Sequence, residues 1–236
     1  MPQSFHSWWA TQSDGGHRHQ TEAWFEKYAY ELLCLFPKGR TLLDVGCGNA
    51  QVLSYLAPHY TEAIGIDYSV KMLEAADARI RKLGIRNIRL ELGDACHFPE
   101  SIRRADVVLS VGVAQYMEPQ DIRSHLQECR RVLQPSGTVG ICDVPWANLR
   151  SAFLSGRLHD PPTQGIPGRI ASALRLRIRM LSGFRRSAPA DGIGVWYTRD
   201  RIRSLAQAEG FDCETVTSWH YEYRFHAVLR PIVSTD

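Results

Sequence analysis

The sequence predicts an α/β protein with a mostly parallel, seven-stranded sheet and helices on both faces. Between residues 41 and 145, short apolar runs alternate with helical patterns. This order is typical of parallel strands joined by right-handed helical crossovers. Residues 214–230 then indicate two further strands with a tight bend between them, which would close the sheet.

The individual elements follow from the apolar periodicity. The pattern at 21–36 predicts a first helix, for which Thr21 is a candidate N-cap, and Thr198 is a candidate N-cap for a last helix over 198–211. Pro-Ser-Gly at 135–137 predicts a turn before the fifth strand. The first five strands are expected at 41–45, 63–67, 88–92, 105–111 and 138–144, and the helices between them to about Leu56, at 70–84 and at 121–133.

Composition and charge limit the class of protein. The 236 residues are 44% apolar and carry a formal net charge of +3, values that fit one globular domain. No apolar run approaches the length of about 18 residues that a membrane span needs, and the first residues lack the features of a signal peptide. The six cysteines are scattered, so we expect no disulfide, no metal site and a cytoplasmic location.

A glycine turn after the first strand is the most informative motif. Asp44-Val45-Gly46-Cys47-Gly48-Asn49-Ala50 follows a buried strand and precedes a helix. Glycines here let the backbone approach a ligand, and the helix N-terminus offers free N–H groups. A dinucleotide-binding loop would have a third glycine where Gln51 stands. The acid before the first glycine fits a positively charged ligand better than a pyrophosphate.

This motif resembles the first motif of the class I S-adenosylmethionine-dependent methyltransferases, whose usual form is [DE]-x-G-x-G-x-G. The chain departs from it at Ala50. The resemblance covers about residues 41–145 and implies a Rossmann-like fold, S-adenosylmethionine as cofactor and methyltransferase activity. It implies that Asp67 binds the ribose hydroxyls, Tyr68 packs on the adenine, and Asp94 and the Ala95 N–H bind the adenine edge. The predicted cofactor site therefore comprises Asp44, Gly46, Cys47, Gly48, Asp67, Tyr68, Asp94, Ala95 and Val111.

With this resemblance, the chain divides into four parts of one methyltransferase domain. We expect an N-terminal helical cap over 1–38 and a cofactor-binding core over 39–145. Residues 146–195, rich in turn-forming residues, are predicted to be a lid inserted after the fifth strand, and 196–236 to form the final helix and strands.

The reaction raises the question of a base. Methyl transfer is an in-line displacement that depends on alignment, and a hydroxyl acceptor also needs a base because alcohols barely ionise at neutral pH. Gln115 and Tyr116, after the fourth strand, are predicted to face the acceptor. The candidate bases are Asp143, His17, His19 and His220.

The predicted lid has a distinct charge. Between residues 150 and 186 there are eight arginines and one acid, which suggests an acceptor carrying phosphate or another anion. Arg175, Arg177 and Arg179 are the candidate ligands of that anion. A solvated lid face and a membrane surface remain alternative explanations of this charge.

The expected function is O-methylation of a hydroxyl on a sugar or secondary metabolite. The aromatic segments 196–199 and 219–225 resemble those of methyltransferases from polysaccharide and natural-product pathways. Methylation of a small amine, an RNA-binding methyltransferase and a non-catalytic cofactor-binding protein remain alternatives. Nucleic acid is not the expected partner because Ser-Val-Gly-Val at 110–113 replaces the motif of the adenine-methylating enzymes. A monomer and a homodimer both stay open.

Overall fold

A computed structural model describes residues 20–158 and 193–232 of the chain. Seven strands form a single sheet in the order β3-β2-β1-β4-β5-β7-β6. Strands β1 to β5 run parallel, and β7 is antiparallel to both β5 and β6. The strands are β1 (Thr41–Val45), β2 (Glu62–Asp67), β3 (Ile88–Leu92), β4 (Ala105–Val111), β5 (Leu133–Pro145), β6 (Phe211–Thr217) and β7 (Arg224–Pro231).

Several helices begin or end at residues with recognisable capping chemistry. The hydroxyl oxygens of Thr21 and Thr198 accept hydrogen bonds from the N–H groups of Trp24 and Arg201, as N-caps. Gly84 ends the third helix in the left-handed conformation, with a φ angle of 67°. The helices are α1 (Glu22–Leu35), α2 (Gln51–Leu56), α3 (Val70–Leu83), α4 (Pro119–Val132), α5 (Arg150–Leu154) and α6 (Arg199–Ala208).

Both faces of the sheet are covered by helices, which confirms the predicted α/β architecture. Apolar residues of α1, α2 and α3 pack on one face, in a cluster that includes Phe25, Leu32 and Leu53. Residues of α4 and α6, including Leu126 and Ile202, pack on the other face. Each layer buries apolar area, which is the main source of stability of such a fold.

The start of the fifth strand differs from the prediction. β5 begins at Leu133, and the expected turn at 135–137 is an irregularity within the strand. Leu133 lies opposite Ala105, whereas Thr138 lies opposite Val107, so β5 contains extra residues at this point. The proline, serine and glycine therefore form a bulge rather than a separate turn.

The strand order places the candidate site. It reverses between β1 and β4, and open α/β sheets bind ligands at the carboxyl ends of the strands beside such a reversal. The first residue of β7, Arg224, lies opposite Pro145 at the end of β5. The bend 218–223 before β7 is therefore at that same edge of the sheet. Residues 1–19 of the predicted cap and 159–192 of the predicted lid lie outside the described residues.

Candidate functional site

The loop after β1 packs closely against the protein at Gly46 and leaves open space beside Gly48. Gly46 and Gly48 have φ angles of 72° and 55°, which glycine adopts without strain. The N–H groups of Gly46 and Cys47 donate to the Ile66 carbonyl at 2.7 and 3.0 Å. A Cβ at Gly46 would lie 2.6 Å from Val113, whereas one at Gly48 would meet no heavy atom within 4 Å. A ligand can therefore approach the backbone beside Gly48.

Asp67, at the end of β2, faces this loop. Its Oδ2 accepts a hydrogen bond from the Gly48 N–H, and its Oδ1 accepts one from the Ser69 N–H, both at 2.9 Å. Burial raises the pKa of the Asp67 carboxyl, and backbone hydrogen bonds oppose that rise. A carboxylate has about four lone-pair positions, so Asp67 keeps capacity to accept a further hydrogen bond, as from a ribose hydroxyl.

Asp44 lies in β1 next to this pair and is 3% exposed. Burial, and to a smaller extent the charge of Asp67, raises the pKa of Asp44 to about 7. A positive ligand group nearby would favour the ionised carboxylate and lower that pKa again. The electrostatics thus suit a ligand with a cationic group.

A buried histidine of α4, His125, holds the loop after β3 in place. Oδ1 of Asp94 accepts from the Cys96 N–H at 2.7 Å. The Ala95 carbonyl lies 2.8 Å from Nδ1 of His125 in α4, and Nε2 of that ring lies 3.6 Å from Sγ of Cys129. Burial lowers the pKa of His125, so the neutral ring donates its Nδ1–H to Ala95. His125 thereby fixes the loop that is predicted to bind adenine.

Three other residues of the predicted cofactor site are at the same strand ends. Tyr68 follows β2 and is half-buried; burial first, then the charge of Asp67, raises the pKa of its hydroxyl. Cys47 is buried, and burial raises the pKa of its thiol. Val111 is half-buried at the end of β4.

Gln115, which was predicted to face the acceptor, is engaged within the protein. Its Nε2 donates to the Gly112 carbonyl at 2.9 Å, and its Oε1 accepts from Nη2 of Arg224 at 3.1 Å. Its carbonyl accepts from the Val195 N–H at 2.8 Å, so the chain that enters α6 is fixed to the turn after β4. Tyr116 follows it and is half-buried.

Asp143, a predicted base, lies inside the protein and is 0% exposed. Its φ angle of 57° marks a bulge where the pairing of β5 with β7 shifts. Its N–H donates to Nδ1 of His226 at 3.3 Å, and its carbonyl accepts from Nη1 of Arg224 at 2.8 Å. After burial, the charge of Asp143 contributes most to the raised pKa of Tyr28 in α1, so this carboxylate lies beneath α1.

His220, another predicted base, lies in the bend before β7. Its Nδ1 is 2.6 Å from Oε2 of Glu31 in α1. Its side chain is 16% exposed, in contrast to the fully buried Asp143. His220 is thus the more accessible of these two candidates.

Comparisons with known proteins agree with this geometry. Residues 42–137 match the model of a family described as "Methyltransferase domain". These residues run from β1 to the bulge in β5 and include the glycine loop, Asp67 and Asp94. Over these residues the chain is similar to class I S-adenosylmethionine-dependent methyltransferases. S-adenosylmethionine is the methyl donor of this class, and the open backbone at Gly48, the acceptors of Asp67 and the buried Asp44 fit its ribose and its positive charge.

Relatives of this chain carry the names of different methyltransferases. It is 36% identical over 109 residues to a demethylmenaquinone methyltransferase of Lactobacillus johnsonii, covering 44% of each protein. It is 31% identical over 132 residues to methyltransferase GfsG of Streptomyces halstedii, covering 55% of this chain and 44% of that protein. The match thus spans less than half of each relative's length.

A solved structure extends the likeness in fold beyond the matched segment. An S-adenosylmethionine-dependent methyltransferase from Clostridium acetobutylicum superposes with a TM-score of 0.62 at 12% identity, covering 90% of this chain and 92% of that one. At this identity the likeness concerns the fold.

The remaining predicted residues lie outside the described part of the chain. These are His17, His19, Arg175, Arg177 and Arg179. Conversely, sequence reasoning missed Glu31, His125 and Arg224. Glu31 and Arg224 contact residues more than 100 positions away, so no local motif could have revealed them.

Two further features concern a membrane span and a metal site. Among residues 20–158 and 193–232, no helix has the length and apolar character that crossing a membrane requires. In the same ranges, no cluster of three or more histidines, cysteines and acids has the geometry of a metal site.

Proposed function

We propose that this methyltransferase transfers the methyl group of S-adenosylmethionine to a hydroxyl of a small molecule, a sugar or a secondary metabolite. The observation that carries the proposal is the open loop at Gly48 beside the two acceptor oxygens of Asp67. It supports a role in which Asp67 binds the ribose hydroxyls and Asp94 and Ala95 bind the adenine. When bound, the cofactor supplies a methyl group that is activated by its attachment to a sulfonium. After the transfer, the remaining part of the cofactor is released as a neutral thioether.

The preference for a hydroxyl rests on the groups available to take up a proton. A hydroxyl must lose its proton during the transfer, whereas a neutral amine can react without a base. Asp143 and His220 both lie near the carboxyl edge of the sheet, at the end of β5 and in the bend beside it. A chain that methylates only amines would have no need of such a base.

The acceptor is further proposed to carry phosphate or another anion. The support is the excess of arginine between residues 150 and 186, where eight arginines accompany one acid. Guanidinium groups bind phosphate oxygens in bidentate fashion. Arg175, Arg177 and Arg179 are the residues that we propose for this contact.

The experiment combines calorimetry with a panel of acceptors. Binding of S-adenosylmethionine is measured first, with NADH as the control ligand. The protein is then incubated with ¹³C-methyl-labelled cofactor and with glucose, glucose 1-phosphate, catechol, glucosamine or total RNA. NMR detection of a methyl ether, with the phosphorylated sugar preferred over glucose, is the expected result. Label on nitrogen or in RNA, or no transfer to any hydroxyl, would contradict the proposal.

A further inference from the structure

Glu31 is a fully buried acid on the inner face of α1, and it receives three hydrogen bonds. Its Oε1 accepts from the Trp219 N–H at 2.6 Å and from Nε2 of His226 at 3.0 Å, and its Oε2 lies 2.6 Å from Nδ1 of His220. Burial acts to raise the pKa of Glu31, but these hydrogen bonds together hold it below its usual value. The carboxylate is therefore ionised and acts only as an acceptor.

The protonation of His226 follows from its two partners. Its Nδ1 faces the Asp143 N–H at 3.3 Å, which is a donor. Nδ1 must therefore be the acceptor, and Nε2 carries the hydrogen that is donated to Glu31. His226 is a neutral, fixed donor that supports the carboxylate without neutralising it.

His220 has the opposite arrangement. Its Nδ1 must donate because Oε2 of Glu31 can only accept, so in the neutral ring the lone pair is on Nε2. No described residue hydrogen-bonds to that nitrogen. The ring lies edge-on to Trp24 and Tyr28, with centroids 5.4 and 5.5 Å apart. The imidazole is thus held in one orientation and one tautomer, with a basic nitrogen available.

The position of His220 suits an acceptor site. It lies in the bend before β7, beside the end of β5, at the edge that carries the cofactor loop. Arg224, four residues later, contacts Gln115 in the turn after β4. Asp143 occupies the same region but is 0% exposed and lies beneath α1. His220 retains exposure, which a group that meets a substrate needs.

We propose that Glu31 and His220 form a carboxylate–imidazole dyad in which Nε2 of His220 accepts the proton of the acceptor hydroxyl. This inference rests on the proposed function. The acceptor oxygen forms a bond to the methyl carbon as the carbon–sulfur bond breaks and its electron pair remains on sulfur. The proton moves to Nε2 and is later lost to water. Glu31 is a positioning residue that fixes the tautomer and stabilises the imidazolium.

The first test needs no acceptor. In Glu31→Gln, Oε1 can still accept from His226, but an NH₂ group replaces Oε2 and must donate to Nδ1 of His220. The proton of His220 is then forced onto Nε2, which can no longer accept. Two-bond ¹H–¹⁵N NMR of the free protein, assigned with a His220→Asn variant, should show the Nδ1–H tautomer in the wild type and the Nε2–H tautomer in Glu31→Gln. An Nε2–H tautomer in the wild type would overturn the dyad.

The second test distinguishes a catalytic role of His220 from a purely structural one. Its substrate is the hydroxyl compound of the acceptor panel that the wild type methylates. His220→Asn keeps an amide donor toward Glu31 but has no base. We expect kcat to fall by about 10²–10⁴-fold in Glu31→Gln and His220→Asn, with calorimetric affinity for S-adenosylmethionine and Tm nearly unchanged. His59→Asn is the control, because His59 is exposed near the start of β2, at the opposite edge.

The outcomes distinguish the alternatives. Wild-type kcat in His220→Asn would show that His220 serves only to attach α1 to the last strands, and would overturn the proposal. Loss of kcat in Asp143→Asn with full activity in His220→Asn would assign the base to Asp143 instead. If the wild type binds the cofactor but methylates no hydroxyl, the proposed function fails, and the tautomer result remains a separate finding.

Discussion

The N–H of Gly48 donates a hydrogen bond of 2.9 Å to Oδ2 of Asp67, and this contact joins the loop after β1 to the end of β2. The same carboxylate also accepts from Ser69. Asp67 therefore shapes the loop, and its carboxylate retains capacity to accept a further hydrogen bond.

Asp67→Ala should weaken binding of S-adenosylmethionine by roughly 1–3 kcal/mol, because hydrogen bonds to a charged group are lost. Calorimetry measures the affinity, and thermal unfolding shows whether the variant is folded. Asp106→Ala is a matched control, since Oδ2 of Asp106 accepts from the N–H groups of Arg40 and Thr41 at 2.9 and 2.8 Å, at the opposite edge of the sheet. Unchanged affinity in folded Asp67→Ala would refute the assignment to ribose.

Gly48→Ala should reduce cofactor affinity at least tenfold, because its methyl group would project into the space that the ligand needs. The backbone strain of a φ angle of 55° adds about 1–2 kcal/mol of destabilisation. Gly84→Ala carries the same strain, with a φ angle of 67° and no heavy atom within 4 Å, but it lies at the end of α3. The two variants should therefore lose similar stability, and only Gly48→Ala should lose affinity.

Asp44→Asn should bind S-adenosylmethionine more weakly than the wild type and should be relatively more stable at higher pH. The pKa of Asp44 is raised from its usual 3.8 to about 7, so the folded state holds the proton more tightly than the unfolded chain. The resulting stabilisation is complete below pH 3.8 and is lost as the pH rises to about 7.

The asparagine variant has no such loss. Its free energy of unfolding, relative to the wild type, should increase by at least about 1 kcal/mol between pH 4.5 and pH 8. Urea unfolding at the two pH values measures this. The same variant should bind S-adenosylmethionine more weakly, and a constant difference between the two proteins across this pH range would contradict the elevated pKa.

Arg224→Lys should destabilise the protein by about 2 kcal/mol. The buried guanidinium donates to both the Asp143 carbonyl and Oε1 of Gln115, and one ammonium group cannot reproduce this fork. Arg230→Lys, on the same strand, is the control because its pairing with Glu214 is exposed and 3.9 Å long. Equal unfolding midpoints for the two variants would show that the buried contacts contribute little.

The sequence predicted the parts of the molecule whose signals are local. The bounds of β1, β3 and β4 agree with the apolar runs, and the N-caps at Thr21 and Thr198 agree with their side-chain chemistry. Ala50, at the last position of the glycine motif, has a left-handed conformation with a φ angle of 58°. The sequence did not predict this conformation, because a non-glycine residue rarely adopts a positive φ angle.

The acceptor side was harder to predict because its contacts join distant segments. In the helical pattern of α1, Glu31 is one of several acids, and nothing near it in the chain shows that it is buried. Asp143 was correctly placed near the end of β5, but the bulge that turns this residue inward depends on β7. Such features follow from pairing between strands rather than from local periodicity.

The partners of Glu31 have a consequence for how the protein becomes active. His220 and His226 are 189 and 195 residues away from Glu31 along the chain. Contacts of such high contact order form slowly, since a long loop must close before they stabilise anything. During synthesis on the ribosome, the glycine loop and Asp67 emerge well before β7, so the residues proposed to bind the methyl donor are made before the proposed dyad can assemble. Chemistry would begin only once the last strand has inserted between β5 and β6.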